Sequence, residues 1–584
     1  MTNQPLKHIA LAFSGGGFRA ASFSLGCLSY LEHCKKLEEV SFIASTSGGT
    51  IANLSYTHML YEGATFEAFY AHLKKFLDGE TALKTAFDIL NSSKAWDDTP
   101  DKGRNLINAF AKAYNQDLFN GATWSKLFDT TGEKHVKQIC ANSTEFKNGI
   151  SFRFQNANGV TSTGITGNYL LFLREAAPFE TLRKLRLGDI TAASSCFPMG
   201  FEPIMFPEDF TYHTSQITLS KSALFDILDT HDAANQAASL SPSVEKHGSG
   251  LEFQLTQQVE GLENSRNTTL NEKPTQSHKP FGLMDGGITD NQAIQSLMLA
   301  DERRNGGNFG TLIVCDVASP FMDAYQLPKV SKNFLAQFSL TKWGILYFAL
   351  TILIGLLGCY YKSPVLYTIA GIMASIPIFI GIWIFSKLSG KNANNSWVKM
   401  IKKYIGYFFT IPVGSFWQML QARIDSTVIM VSDVFLKQIR RMWYDQLYTN
   451  NKYENRRMSV LVYELSTKHY PVTEARLNGK DRKVQQIKAL VEQDGLKPSE
   501  AMQKIAQKAS EMGTTLWFDE HNVKDKVMEA LIATGQFTMC YNLIMYLIKL
   551  EVEAPALVTT ELSNLKKQLL ADWKEFLKKP EFLV

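Results

Sequence analysis

Ile9-Ala10-Leu11-Ala12-Phe13-Ser14-Gly15-Gly16-Gly17-Phe18-Arg19-Ala20 is the stretch whose reading decides the fold, and Val40-Ser41-Phe42-Ile43-Ala44-Ser45-Thr46-Ser47-Gly48-Gly49 repeats its logic one helix-length later. In each, a short apolar run ends in small residues that permit a tight turn, and helical spacing follows, over Ala20 to Cys34 and again over Thr50 to Leu60. Compact apolar runs bounded by Gly and Ser read as buried strands. Strand, turn and helix in repetition predict an α/β sheet. Further strands are expected at Gly310 to Val317 (GTLIVCDV) and Ser459 to Leu465 (SVLVYEL), so the sheet draws on distant parts of the chain.

Outward from this nucleus, 584 residues exceed what one small core organises. The 45 % hydrophobic, 12 % aromatic and 20 % charged fractions exclude a disordered, collagen-like or disulfide-framework chain. Sixty basic against 56 acidic residues leave a net charge of +4, too weak for a nucleic-acid footprint, and no dense Lys/Arg stripe with aromatics appears, so no nucleic-acid partner is expected. The seven cysteines are scattered without a C-x-x-C pair or His cluster, which predicts reduced, mostly buried thiols and no metal site. The opening residues lack a basic region followed by an apolar run of signal-peptide length, so the first domain is expected on the cytoplasmic side.

Composition shifts sharply in the middle of the chain. Trp343 to Tyr361 and Pro364 to about residue 386 are apolar, and each is close to the roughly 20 residues that cross a bilayer. Only Lys362-Ser363 separates them, whereas Lys329, Lys332 and Lys342 precede them and Lys387, Lys391, Lys399, Lys402 and Lys403 follow. This pattern predicts a transmembrane hairpin with both flanks cytoplasmic. The shorter run Tyr404 to Trp417 is broken by Gly406, Pro412 and Gly414 and suits an interfacial segment or a buried core helix. Residues of about 238–280 are polar and aperiodic and read as a long insert. Near the end, Leu562, Leu565, Leu569, Trp573, Phe576 and Leu577 share one helical face opposite several lysines, as an amphipathic helix would, lying on its own domain or on an anionic membrane. The expected organisation is therefore 1–330, a membrane insertion over 331–423, a return to the α/β domain over 424–550, and a C-terminal amphipathic helix over 551–584.

Three groups of residues carry chemistry. Gly15, Gly16 and Gly17 let the backbone turn and offer amide hydrogens at a helix N-terminus, which suits either an oxyanion or, through the formal G-x-G-x-x-A match ending at Ala20, a dinucleotide phosphate. A dinucleotide site wants an acidic residue at the end of the second strand, and this strand runs instead into Ser45-Thr46-Ser47-Gly48-Gly49, which is similar to a nucleophile elbow with Ser47 at its apex; an ordinary helix cap is the alternative. Ser47 needs a base, and none of the eleven histidines has a catalytic context. Asp285, in Leu283-Met284-Asp285-Gly286-Gly287, could serve, or could be a turn residue; Asp290 competes for the role.

Taken together, SGGGFRA, STSGG and DGG resemble the patatin-like phospholipase family, of the bacterial, membrane-anchored type, and Ala192 to Pro203 (AASSCFPMGFEP) looks like its small-residue and proline stretch. The resemblance implies a three-layer α/β/α domain, here interrupted by the hairpin, that hydrolyses lipid acyl esters without metal or cofactor. It implies Ser47 as nucleophile and Asp285 as base, with the amides of Gly15, Gly16, Gly17 and Gly48 around the oxyanion. Gly49, Gly286 and Gly287 support the motifs, and Arg19 is read as a structural brace or a phosphate contact. Membrane lipids and the bilayer are the implied partners, and the cytoplasmic face of a bacterial inner membrane the implied location. A catalytically silent patatin fold serving as a membrane scaffold or signalling effector is the alternative.

Overall fold

The computed structural model describes residues 4–125, 134–157, most of 166–230, 279–303, 309–318, 324–329, 333–388 and 409–584. The polar insert expected over about 238–280 falls almost entirely outside the described residues, as do the first residues of the Tyr404 to Trp417 run. The chain divides into two units, Met1–Phe321 with Val434–Val584, and Met322–Asp433.

In the first unit, the described residues form an eleven-stranded mixed sheet: β1 (Ile9–Phe13), β2 (Val40–Thr46), β3 (Gln138–Glu145), β4 (Ile150–Ala157), β5 (Thr166–Gly167), β6 (Leu171–Leu173), β7 (Ile204–Phe206), β8 (Leu228–Thr230), β9 (Phe281–Asp285), β10 (Thr311–Asp316) and β11 (Arg457–Leu461). Its order is β8-β6-β5-β4-β3-β2-β1-β10-β11, with β9 pairing β3 and β7 off this path. Strands β3, β2, β1, β10 and β11 run parallel, as the strand-turn-helix repeats require, and β4 turns back antiparallel to β3.

The helices of the two units include α1 (Gly17–His33), α2 (Gly48–Tyr61), α3 (Leu187–Ser195), α4 (Ile294–Arg303), α5 (Leu340–Tyr361), α6 (Pro364–Leu388), α7 (Val413–Ile429), α8 (Leu436–Thr449), α9 (Glu500–Glu511), α10 (Val527–Glu553) and α11 (Thr560–Lys578). Because side chains alternate along a strand, β1 serves two cores at once. Ile9, Leu11 and Phe13 join the large cluster containing α1, α2 and α10, while Ala10 and Ala12 join a smaller one with Ile294 and Leu297 of α4 and Trp443 and Leu447 of α8. Helices therefore cover both faces, giving the three layers.

Two helices expected or overlooked in the sequence find their place here. Helix α10 is long and apolar enough to cross a membrane, yet 94 % of its apolar window is buried inside this unit, where it packs on α1, α9 and α11. Helix α11 turns Leu562, Leu565, Leu569, Trp573 and Phe576 into the same core, so its apolar face is covered by its own domain.

The second unit holds α5, α6 and α7. Helices α5 and α6 form a hairpin whose turn is Lys362, in the left-handed conformation, and Ser363. Gly355 and Gly358 let α6 approach closely, with Ala370, Leu366 and Tyr367 against them. Thr351 and Gly358 are the buried positions of α5, and its Ile345, Ile352 and Leu356 stand more than 60 % exposed. The short run that ends at Trp417 leads into α7, and Trp417 is exposed on it.

Candidate active site

Register brings the three motifs together. Strand β2 runs parallel to β3 and ends with Thr46 opposite Asn142, whereas β9 runs antiparallel to β3 and ends with Asp285 opposite Ser143. The two strands thus meet end to end along β3, and the next residue of β2 is Ser47. That backbone geometry, not proximity in sequence, sets Ser47 beside Asp285.

Ser47 sits at φ 52°, ψ −125°, a conformation costly for any residue with a Cβ. The turn that forces it is also what presents the serine from between β2 and α2. Its amide donates to Ser194 Oγ at 3.0 Å, and Ser194 donates in turn to the Asn142 carbonyl at 2.6 Å. The same segment holds the aspartate: Asp285 N–H donates to the Cys196 carbonyl and Gly286 N–H to the Ser194 carbonyl, at 3.1 and 3.2 Å. The end of α3 is therefore a clasp on both partners. Ser194 and Cys196 lie in the small-residue stretch that the sequence singled out, but their positioning role was not visible until the strands were paired.

Asp285 is 2 % exposed. Its Oδ1 accepts the Gly287 N–H at 2.7 Å, and its Oδ2 is buried without a hydrogen-bond partner among the described residues. Burial pushes its pKa up to about 6, and the Ser47 hydroxyl and the Gly287 amide pull back in the other direction. The Ser47 hydroxyl thus acts on a carboxylate one oxygen of which has no hydrogen-bond partner among the described residues. Asp290 is also buried and pushed up to about 6, but its environment differs. Its Oδ2 accepts from Asn142 Nδ2 and the Ser296 N–H, both at 3.2 Å, and Arg153 favours its charged form. That carboxylate caps the start of α4.

The glycines are explained by close approach. A Cβ on Gly48 would lie 1.9 Å from the Gly17 carbonyl, and one on Gly17 would lie 2.1 Å from the Thr515 carbonyl at a backbone φ of +59°. A Cβ on Gly49 would meet the Phe13 and Ser14 carbonyls at 2.7 Å, and one on Gly286 the Asn142 carbonyl at 2.4 Å. A Cβ on Gly15 would lie 3.2 Å from that of Ser47, so the glycine loop borders the serine. Of the four nominated amides, that of Gly15 is already committed to the Asn291 carbonyl at 2.8 Å. Those of Gly16, Gly17 and Gly48 have no acceptor among the described residues. Arg19 is a brace: its guanidinium donates to the Met512 carbonyl at 2.7 Å and reaches Thr514 Oγ1 at 3.4 Å.

Residues 11–225 match the family model of patatin-like phospholipases. This stretch is a patatin-like domain. The match takes in the glycine loop, Ser47 and Ser194 and ends before Asp285, so the aspartate's place beside the serine rests on the strand pairing described above. No curated protein matches the chain.

Proposed function

We propose that this protein is a membrane-anchored serine acyl hydrolase that cleaves ester bonds of membrane lipids with a Ser47–Asp285 dyad. The observation that supports the reading is the buried Asp285 carboxylate, with one oxygen fixed by Gly287, the other without a hydrogen-bond partner among the described residues, and the Ser47 hydroxyl near enough to act on it. An aliphatic hydroxyl is a weak nucleophile at neutral pH and needs an adjacent base. A carboxylate with a pKa of about 6 is largely ionised above pH 7, yet more basic than a solvated one. As Ser47 Oγ bonds to the acyl carbon, its proton passes to Asp285 Oδ2, and the carbonyl oxygen gains the charge. The amides of Gly16, Gly17 and Gly48 stabilise that oxyanion at the start of α1 and α2, where helix dipoles add to them. Asp285 then returns the proton to the departing alcohol, and water, activated by the same carboxylate, frees the fatty acid. The patatin-like domain supports the lipid acyl hydrolase class.

Fatty-acid release from mixed phospholipid vesicles by the detergent-purified, reconstituted protein tests the reading, beside Ser47→Ala and Asp285→Asn variants checked for folding. Release by the wild type and its loss in both variants is expected. A folded, inserted wild type that releases nothing would favour the scaffold alternative.

A further inference from the structure

Asp285 opens a loop that runs to Gln292, and nearly every turn of that loop is pinned. Its start hangs on α3 through the Asp285 and Gly286 amides. Asp290 caps α4, and the Asn291 carbonyl takes the Gly15 amide, tying the loop to the glycine turn. The loop then ends in Ala293 at φ 54°, a left-handed conformation that persists only where the surroundings impose it.

The remaining pins come from α8, the first helix of this unit after the membrane-hairpin segment in sequence. Trp443, 3 % exposed, donates its indole N–H to the Thr289 carbonyl at 2.9 Å. The turn Gly287–Asp290 is too short to supply that carbonyl with an intrahelical donor, and Trp443 is the donor it has among the described residues. On the same helix, Arg440 Nε and Tyr444 OH donate to Asp316 Oδ2 at 2.8 and 3.2 Å, and Asp316 Oδ1 accepts the Gln292 side-chain amide at 3.4 Å. Helix α8 thus grips the loop near its middle and, through Asp316, at its far end.

We propose that Trp443 is a positioning residue for the base: its indole N–H, by holding the Thr289 carbonyl, sets where Asp285 stands relative to Ser47 and the glycine loop. This rests on the dyad reading above. Its consequence is that the element returning from the membrane segment fixes the catalytic loop, so the patatin-like stretch of residues 11–225 does not by itself hold the geometry of the site.

Trp443→Phe tests it in the full-length, reconstituted protein, because phenylalanine keeps a ring among Ile294, Leu297 and Leu447 and removes the donor. Trp443→Leu serves as a second variant that also loses packing. Misplacement of a catalytic group by a fraction of an ångström is expected to lower kcat by about tenfold while KM stays within about twofold. Trp443→Phe should already show most of this loss, although Trp443→Leu is the less stable of the two. Hydrogen exchange supplies a readout independent of turnover: peptides covering 285–292 should exchange faster in Trp443→Phe, with β1 and α10 unchanged. An unchanged kcat together with unchanged exchange over 285–292 would overturn the proposal, as would a kcat loss that only follows the folded fraction across the two variants. If the wild type hydrolyses no lipid, the dyad reading fails on its own, and the exchange experiment still decides whether Trp443 holds the loop.

Discussion

At the residue scale, the proposed chemistry turns on a carboxylate kept where charge is disfavoured. Lifting Asp285 from the ordinary carboxyl range to about 6 by burial corresponds to roughly 3 kcal/mol against the folded state once the group is ionised. The folded pKa lies above the unfolded one, so this cost is complete above pH 6, shrinks as pH falls through the folded pKa, and vanishes once the unfolded chain is protonated too. Asp285→Asn, which can still accept from Gly287, should therefore melt several degrees higher than the wild type at pH 8, with the gap closing toward pH 4; thermal melts across that range check it. A variant that is no more stable at pH 8 would mean that the carboxylate is better solvated than its 2 % exposure implies. With the proposed dyad, activity moves the other way: kcat of the wild type should fall as pH drops through about 6, because a protonated Asp285 could not take the serine's proton. Ser194 illustrates the positioning side of the same site. Its removal in Ser194→Ala strands the buried Ser47 amide, a loss of about 1–3 kcal/mol in chemical denaturation, and frees the strained elbow to relax, so kcat should fall more than stability alone explains.

At the element scale, glycines set how closely helices and turns approach. Helix α1 crosses α10 where Gly26 and Gly535 meet: a Cβ on Gly26 would lie 2.1 Å from the Ile532 carbonyl, and one on Gly535 would lie 2.4 Å from the Phe23 carbonyl. Backbone cannot swing aside as a side chain can, so Gly535→Ala should destabilise by about 1–3 kcal/mol or more, read as a lower denaturant midpoint at unchanged slope. The elements themselves were largely legible. Strands β1 and β2, helix α1 from its apolar spacing, and the apolar pair α5 and α6 all stand within a few residues of where periodicity and small-residue turns set them. Ser47 and Asp285 were legible as candidates for the same reason, since glycines crowd both. What could not be read is what depends on partners distant in sequence. Nothing local in Val527–Glu553 says that this apolar helix belongs inside the sheet domain, because burial all round and a membrane span demand the same composition. The Gly15 amide has a motif's position and yet serves Asn291, a residue that only the fold brings near. Trp443, Arg440 and Asp316 carry no motif at all, and their pairing spans, in sequence, the whole apolar hairpin.

At the scale of the whole molecule, the question is where two strongly apolar helices go. Leaving α5 and α6 in water would expose Ile345, Ile352, Leu356, Phe379, Ile382 and Trp383, each at least 60 % accessible, and such a face is stable only against lipid or protein. A bilayer also explains why the hairpin is short in its turn and lysine-rich at its flanks, since cytoplasmic loops carry the positive charge. For the proposed lipid hydrolase, such anchoring would raise the substrate's effective concentration without any new contact. Topology tests this directly, because six of the seven cysteines are buried and Cys359 lies inside α5. In a Cys359→Ser background, Ser363→Cys at the hairpin turn should react with a membrane-impermeant maleimide added to intact cells, whereas Lys342→Cys at the flank should react only after permeabilisation. Labelling of both from the same side would remove the spanning hairpin and leave α5 and α6 as a face for another protein. Labelling of Ser363→Cys from outside with Lys342→Cys protected would place the lysine flanks on the cytoplasmic side, the side on which the proposed dyad would have to meet its lipid.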